Sequence, residues 1–143
     1  MTVNQISVFL ENKPGQLAEL TNVLSAHGIS MRALSIADTR DYGIARIMVD
    51  DPYGTLIILK DNGWIAKITP VLAVSMEDKA GALDQILNVL AKADIALEYV
   101  YAFLTHKQGS ACLVVRTADA EATAKVLKAN GIQLVAQDQL YKI

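Results

Sequence analysis

Hydrophobic positions in the first half of the chain follow two periods in a fixed order. Residues 3–10 place apolar side chains at every second position, which predicts a β-strand with one buried face. Residues 17–24 place them at helical spacing, and Gly28 ends that predicted helix. A proline after two acids, at Asp50-Asp51-Pro52, marks the start of a second helix that ends at Asn62-Gly63. The remaining predicted elements are strands over 29–37, 42–49 and 64–68, with a hairpin turn at 38–41.

The second half of the chain repeats this order of elements. Thr117 is placed to cap the last predicted helix, which ends at Asn130-Gly131. The order β-α-β-β-α-β, met twice, predicts an α+β fold of two ferredoxin-like units, each an antiparallel sheet with its helices on one face. The predicted elements of the second half cover residues 71–76, 83–90, 97–105, 110–116, 117–130 and 134–140.

The two halves also match residue by residue. Residues 11–17 read Glu-Asn-Lys-Pro-Gly-Gln-Leu, and residues 77–83, which lie 66 positions later, read Glu-Asp-Lys-Ala-Gly-Ala-Leu. A repeat of this length indicates two similar domains, which we place at 1–69 and 70–143 with the division at Thr69-Pro70. Residues 43–49 match 109–115 at the same spacing, whereas Asn62-Gly63 matches Asn130-Gly131 at 68, so two inserted residues are predicted near the last helix.

Each copy of the motif places a glycine turn where a strand leads into a helix. The N–H groups at a helix N-terminus lack partners within the helix and can hold an anion such as a carboxylate. Asn12 carries donors and an acceptor, whereas an ionised Asp78 only accepts hydrogen bonds, so an amino acid's ammonium group suits Asp78. Two non-equivalent sites, or one site that uses both turns, are compatible with this pattern.

The motif and its surroundings resemble a known family. Residues 9–17, followed by Leu20, Leu24 and 28–31, are similar to the opening of an ACT domain, and residues 78–83 are similar to a second opening. ACT domains are regulatory modules that bind amino acids, as in phosphoglycerate dehydrogenase and aspartokinase. The resemblance therefore implies a free-standing tandem pair of ACT domains, without a catalytic domain, that binds its ligand between ACT units.

The resemblance also implies which residues would surround the ligand. The turns and the start of each following helix would hold its polar groups, and the start of each second strand would line its side chain. In the first copy these residues are Asn12, Pro14, Gly15, Gln16, Leu17, Ser30 and Met31. In the second copy they are Asp78, Ala80, Gly81, Ala82, Leu83, Ala96 and Leu97.

Composition and charge count against several other functions. The net charge is −2 with no basic run, which is unlike a nucleic-acid-binding protein. The single cysteine, Cys112, lies in an apolar strand and is interpreted as inert packing, and with two scattered histidines it forms neither a metal site nor a nucleophile pair. No glycine-rich phosphate loop or dinucleotide fingerprint occurs, so no cofactor is predicted.

The sequence also carries no sign of a membrane or of secretion. No apolar run reaches the ~18 residues of a membrane span, and residues 1–5 do not resemble a signal peptide. We therefore expect a cytoplasmic, non-catalytic protein that senses a small amino acid, forms a homodimer and regulates a metabolic enzyme. The alternative is a structural or interaction module that pairs with such an enzyme without binding a ligand.

Overall fold

The computed structural model describes residues 1–38 and 40–143, and the order of helices and strands within them is the predicted one except that a single strand replaces the two predicted at 64–68 and 71–76. The turn predicted at 38–41 includes Thr39, which lies outside the described residues. In chain order the elements are β1 (Val3–Glu11), α1 (Gln16–Ala26), β2 (Met31–Asp38), β3 (Tyr42–Val49), α2 (Pro52–Asp61), β4 (Ala66–Glu77), α3 (Ala82–Lys92), β5 (Leu97–Phe103), β6 (Ser110–Thr117), α4 (Ala120–Ala129) and β7 (Leu134–Val135).

The described chain forms two compact units. The first unit is Asn4–Thr69, and the second is Pro70–Ile143 together with Met1–Val3, which differs from the predicted domains only in those first three residues. The strand order is β2-β3-β1-β4 in the first unit and β5-β6-β4-β7 in the second. Both orders are the ferredoxin-like arrangement, so the predicted fold class is confirmed.

Each unit has its own hydrophobic core between its helices and its sheet. In each unit the first helix contributes two large buried aliphatic side chains and the second helix contributes one buried leucine, and these pack against alternate residues of the two central strands. The first core consists of Ile6, Val8, Leu10, Leu20, Leu24, Ala45, Ile47, Val49 and Leu59. The second consists of Leu72, Val74, Ile86, Leu90, Leu113, Val115, Ala124, Leu127, Ile132 and Leu134.

Strand register places the two inserted residues in the second unit. Val8 lies opposite Ala45 in the first unit and Val74 lies opposite Leu113 in the second. The first members of these pairs are 66 residues apart, but Ala45 and Leu113 are 68 apart, while β2 and β5 keep the spacing of 66. The insertion therefore lies in the hairpin between β5 and β6, and the prediction near the last helix was wrong. Because the extra residues lie outside the paired strands, β6 pairs with β4 as β3 does with β1 and buries the equivalent face.

The strands predicted at 64–68 and 71–76 are one continuous strand, β4, which crosses the predicted domain division at Thr69-Pro70. The strand β4 continues through Pro70, whose carbonyl accepts a hydrogen bond of 2.8 Å from Nη1 of Arg116. Proline lacks only the N–H donor, so it is compatible with a strand wherever that donor is not needed for pairing.

The last helix and the last strand also differ from prediction. Asp119, not Thr117, caps α4, because Thr117 is a buried residue of β6 whose hydroxyl lies 2.8 Å from that of Thr123. The strand predicted at 134–140 ends at Val135, after which Gln139 turns the chain by accepting from the amide of Ala136. The alternation of apolar and polar residues at 134–140 therefore reflects a short strand followed by a turn that buries Leu140.

Truncation of a core leucine in α3 should separate packing from surface effects. Leu90 is buried, whereas Leu83 on the same helix is 39% exposed. We expect Leu90→Ala to lower the free energy of unfolding by about 2–5 kcal/mol and Leu83→Ala to lower it by less than about 1 kcal/mol, as measured by urea denaturation. Equal losses in the two variants would contradict the assignment of the core face.

Candidate functional site

The turn that leads into the first helix of each unit is held by a left-handed glycine. Gly15 has φ 84° and ψ −12°, and Gly81 has φ 88° and ψ −12°. Residues with a Cβ rarely adopt this conformation, so the turn geometry depends on glycine at both positions. A Cβ added at either glycine would meet no atom within 4 Å, which shows that space outside both turns is open.

These glycines leave the helix N-termini without a side-chain cap. In α3 the amide of Gln85 makes the first intrahelical bond, to the carbonyl of Gly81, and the amide of Ala82 bonds to the carbonyl of Lys79. The amides of Leu83 and Asp84 then have no acceptor within the helix, and no side chain caps them. The N-terminus of α1 has the same arrangement.

The second helix of each unit is capped in the ordinary way. Asp51 Oδ1 accepts from the amide of Gly54 at 3.0 Å, and Asp119 Oδ1 accepts from the amide of Ala122 at 2.9 Å. The same fold therefore caps α2 and α4 with a carboxylate and leaves α1 and α3 without one. At those two uncapped helices, a carboxylate from outside the chain would supply what Asp51 and Asp119 supply at the other two.

An ion pair spans each glycine turn. Lys13 Nζ lies 2.8 Å from Glu11 Oε2, and Lys79 pairs with Glu77 in the same way. The hydrogen bond from Lys13 to Glu11 and the charge of that carboxylate raise the pKa of the lysine. Since each lysine is already neutralised by a glutamate, the uncapped amides are the donors that an incoming carboxylate would meet.

The turn residues Asn12 and Asp78 differ in their side-chain contacts. Their amides make equivalent bonds, to the carbonyl of Asp41 at 3.1 Å and to that of Gly109 at 3.0 Å. Asn12 Nδ2 also donates to the carbonyl of Arg40 at 2.9 Å. Asp78 has no amide group with which to make that bond, and its side chain is exposed.

Pockets lie beside the turn and the first helix in both units. In the first unit a pocket of about 300 Å³ beside α1 is lined by Gln16, Glu19, Val23, Asn62, Gly63 and Trp64. The two pockets that include residues of the turn differ in size: the one at the start of α3 has a volume of about 370 Å³, and the one at the turn of the first unit has about 120 Å³. The larger is lined by Ser75, Met76, Glu77, Lys79, Ala82, Gln85, Ile86, Ser110, Gly131, Ile132 and Gln133. The smaller is lined by Leu10, Glu11, Asn12, Lys13, Gln16, Leu17, Ile36 and Gly43.

The predicted ligand-binding residues are divided between these pockets and the opposite end of each unit. Ala82 lines the larger pocket, and Asn12, Gln16 and Leu17 line the smaller one. Six others adjoin the turns without lining these pockets: Pro14, Gly15, Asp78, Ala80, Gly81 and Leu83.

The predicted residues of the second strands lie elsewhere. Ser30 and Met31 follow the C-terminus of α1, and Ala96 and Leu97 follow that of α3. A helix of 11 residues is about 16 Å long, so within one unit these residues are far from the glycine turn.

Several pocket residues were not predicted from the sequence. Gln85 could have been found, because it lies one turn into α3 from Gly81. Gln133 and Ser110 come from distant parts of the chain, and only the pairing of β7 and β6 with β4 brings them beside the turn. In the smaller pocket Ile36, near the end of β2, takes the place that was predicted for Met31 at its start.

Comparison with known proteins identifies a matching family over the whole chain. The family model described as an ACT domain pair matches residues 1–143. A search of curated protein sequences gave no match.

Solved structures share the fold of this chain. The chain is similar to protein BT0572 from Bacteroides thetaiotaomicron, with 38% identity, a TM-score of 0.91 and coverage of 100% of this chain and 98% of that one. It shares its fold with the ligand-free regulatory subunit of aspartate kinase from Thermus thermophilus, at 16% identity, a TM-score of 0.61 and coverage of 88% and 90%. The regulatory subunit of aspartate kinase from Thermus flavus gives 17% identity, a TM-score of 0.60 and the same coverage.

Two further properties bear on the kind of site. None of the helices in the described part of the chain is long and apolar enough to cross a membrane. Cys112 is buried, and burial raises the pKa of its thiol to about 11, although a backbone hydrogen bond at Val74 opposes that change. A neutral, enclosed thiol is a poor nucleophile.

The raised pKa of Cys112 predicts a dependence of stability on alkaline pH. Between about pH 9 and pH 11 the unfolded chain loses the thiol proton while the folded chain keeps it. The free energy of unfolding should therefore fall as the pH rises, by at most about 1.4 kcal/mol per pH unit from this group. Denaturation of wild type and Cys112→Ala at pH 8 and pH 10.5 measures it, because the variant lacks this contribution; parallel losses in the two proteins would contradict the prediction.

Proposed function

The chain belongs to the ACT-domain family as an ACT domain pair, and from that premise we propose that it is a non-catalytic regulatory protein that binds a small amino acid. The observation that carries this proposal is the uncapped, glycine-initiated helix found once in each unit, beside capped helices in the same units. The same arrangement, an uncapped first helix and a capped second helix, occurs in both units although their sequences differ. This recurrence favours a functional role for the uncapped helix over a coincidence of local sequence.

An α-amino acid fits the chemistry of these turns better than a simple anion does. Its carboxylate can accept from the amides of Leu83 and Asp84, where the partial positive charge of α3 favours a negative group. Its ammonium group needs a carboxylate, and exposed Asp78 lies in the same turn, whereas Glu77 is paired with Lys79. A dicarboxylate or a phosphate would have no partner for the acidic side of this turn.

We place the main site in the second unit, because its pocket of about 370 Å³ includes Glu77 and Lys79 of the turn itself and is within the range for small-molecule sites. In the first unit the pocket at the turn has only about 120 Å³, and the pocket of about 300 Å³ beside α1 includes no residue of 11–15. The lining includes the side chains of Gln85, Gln133, Ser75 and Ser110, which favour an amino acid with a polar side chain.

The predicted residues at the far ends of α1 and α3 can contact a ligand at the glycine turn only if they belong to a different ACT unit. Ser30 and Met31, or Ala96 and Leu97, would line the ligand if another unit presented them to the turn. We therefore propose that the site lies where ACT units meet, that the protein is a homodimer, and that it acts in the cytoplasm on a metabolic enzyme.

A thermal-shift screen against the twenty common amino acids, each at about 10 mM, tests the proposal. A ligand present at about 100 times its Kd adds about 2.7 kcal/mol to stability. For a chain of this size we expect a rise in melting temperature of about 5 °C or more with at least one polar amino acid.

Two matched variants then locate the site. Gly81→Ala and Gly15→Ala introduce the same strain, about 1–2 kcal/mol, because both glycines have nearly the same positive φ and open surroundings. We expect Gly81→Ala to weaken binding of the identified amino acid at least tenfold by calorimetry and Gly15→Ala to leave its Kd within about twofold. Gln85→Ala, at an exposed position of the pocket, should weaken binding without strain.

The outcomes also distinguish the alternative function. If none of the amino acids raises the melting temperature, the ligand-binding proposal fails and the interaction module that binds no ligand is favoured. If a ligand is found but Gly15→Ala is the variant that loses it, the site belongs to the first unit and its placement in the second is wrong.

A further inference from the structure

The second unit contains another pocket, of about 360 Å³, which is lined by residues within 105–111 and 133–143 together with Ser75. We call it the tail pocket, because part of its lining follows β7, the last strand. It adjoins the pocket at the start of α3 and shares Ser75, Ser110 and Gln133 with it, but it includes no residue of the glycine turn. Its volume is within the range for small-molecule sites.

Two residues of this lining have large apolar counterparts in the first unit. In the second unit the amide of Ser75 donates to the carbonyl of Gln133 at 2.9 Å, and both residues line the tail pocket. In the first unit the amide of Phe9 makes the same bond to the carbonyl of Ile65, also at 2.9 Å. The second unit therefore has polar side chains where the first has phenylalanine and isoleucine, so the fold does not require polar residues at these positions.

A third counterpart explains why the pocket is open. Ser110 is the first residue of β6 and lies opposite Glu77, just as Tyr42 is the first residue of β3 and lies opposite Glu11. In the first unit the rings of Phe9 and Tyr42 stack, with their centroids 5.4 Å apart. Serine at both equivalent positions of the second unit replaces these two rings with small polar groups, and the tail pocket lies at that place.

The other walls of the tail pocket come from segments that the first unit lacks. Thr105 and Lys107 belong to the hairpin between β5 and β6, which carries the two inserted residues. The segment after β7 has no counterpart in the first unit, where the chain continues along β4 instead. Leu140 buries this segment against the unit, and the amide of His106 donates to the carbonyl of Ile143 at 3.1 Å, which joins the segment to the hairpin. Smaller side chains, a longer hairpin and an additional segment thus meet at one place.

Both charged side chains in the lining of the tail pocket are lysines. Lys107 comes from the hairpin and Lys142 from the segment after β7, and neither has an ion-pair partner within the described residues. At the glycine turn, by contrast, Lys79 is paired with Glu77. Asp138, the acid closest in sequence to Lys142, is exposed and is not part of the lining. Two unpaired positive charges at one pocket favour an anion there.

We propose that the tail pocket is a second binding site, for a small organic dianion with either two carboxylates or one phosphate group. Lys107 and Lys142 supply one positive charge each from two different walls, and charge-assisted hydrogen bonds from lysine suit both kinds of anion. The hydroxyls of Ser75 and Ser110 form no hydrogen bond within the described residues, so both can donate to a ligand. This site goes beyond the amino-acid site at the glycine turn and does not depend on it.

An NMR titration of the ¹⁵N-labelled full chain tests the proposal. The probes are succinate and glycerol 3-phosphate, each added to about 20 mM at a constant ionic strength of about 0.1 M, and succinamide is the uncharged analogue of succinate. At least one dianion should shift the amide signals of Lys107, Ser110 and Lys142 to saturation, with a Kd of about 5 mM or less, and succinamide should not. The dianion that binds distinguishes a dicarboxylate site from a phosphate site.

Charge removal at the two lysines then tests their role. The double variant Lys107→Gln/Lys142→Gln should bind the dianion at least about tenfold more weakly, because glutamine keeps a polar side chain but carries no charge. Lys128→Gln is the matched control: Lys128 is an exposed lysine in the last turn of α4 and lines neither pocket of this unit, so its Kd should stay within about twofold of wild type. Since Lys107 and Lys142 are also exposed, melting temperatures should remain close to that of wild type.

Several results would overturn the proposal. These are the absence of a saturable shift with either dianion, equal affinity for succinamide, and a double variant that binds as tightly as wild type. Shifts confined to the amides of Leu83 and Asp84 would also overturn it, because they would place the carboxylate at the glycine turn and not in the tail pocket. The amino-acid screen is read separately on Lys107→Gln/Lys142→Gln, since neither lysine lines the pocket at the start of α3; a lost dianion site with an intact thermal shift leaves the amino-acid proposal standing.

Discussion

The left-handed conformation of Gly15 and Gly81 is the constraint on which the candidate site depends. It turns the chain sharply enough for a strand to lead into a helix after four residues, and it does so with a residue that cannot cap that helix. Because glycine has no side chain, the amides at the helix N-terminus stay uncapped and the space outside the turn stays open. Residues that cap a helix with their own side chain do so from extended backbone, as Asp119 does, and the left-handed turn does not offer that conformation.

Duplication gives this protein internal comparisons that a single domain lacks. The two units share their strand order, caps and core positions, so a difference between equivalent surfaces is not required by the fold. Two such differences stand out: the pocket beside α3 includes residues of the glycine turn, whereas its counterpart beside α1 does not, and α2 exposes Tyr53 and Ile57 where α4 has the ion pair of Glu121 and Lys125. In each case the feature occurs in one unit only, so the fold itself does not require it.

The insertion in the β5–β6 hairpin illustrates how much change the scaffold tolerates. The two extra residues lie in the connection, so β6 pairs with β4 and β5 as β3 pairs with β1 and β2, and it keeps the same inward face. The insertion therefore altered only the hairpin, where both the sequence and the length of the connection are free to vary.

The sequence by itself determined the two ferredoxin-like units and the glycine turns, because hydrophobic period and turn chemistry are local properties written into neighbouring residues. It also marked the helix start at Asp51-Pro52. It missed the cap at Asp119 because Thr117, another residue type that commonly caps helices, lies two residues earlier. The tertiary structure alone decided the pocket lining: Gln133 and Ser110 reach the turn through strand pairing, whereas Ser30 and Met31 are carried to the far end of a rigid helix. Proximity across a sheet depends on register, and register is set by the packing of whole strands rather than by any short stretch of residues.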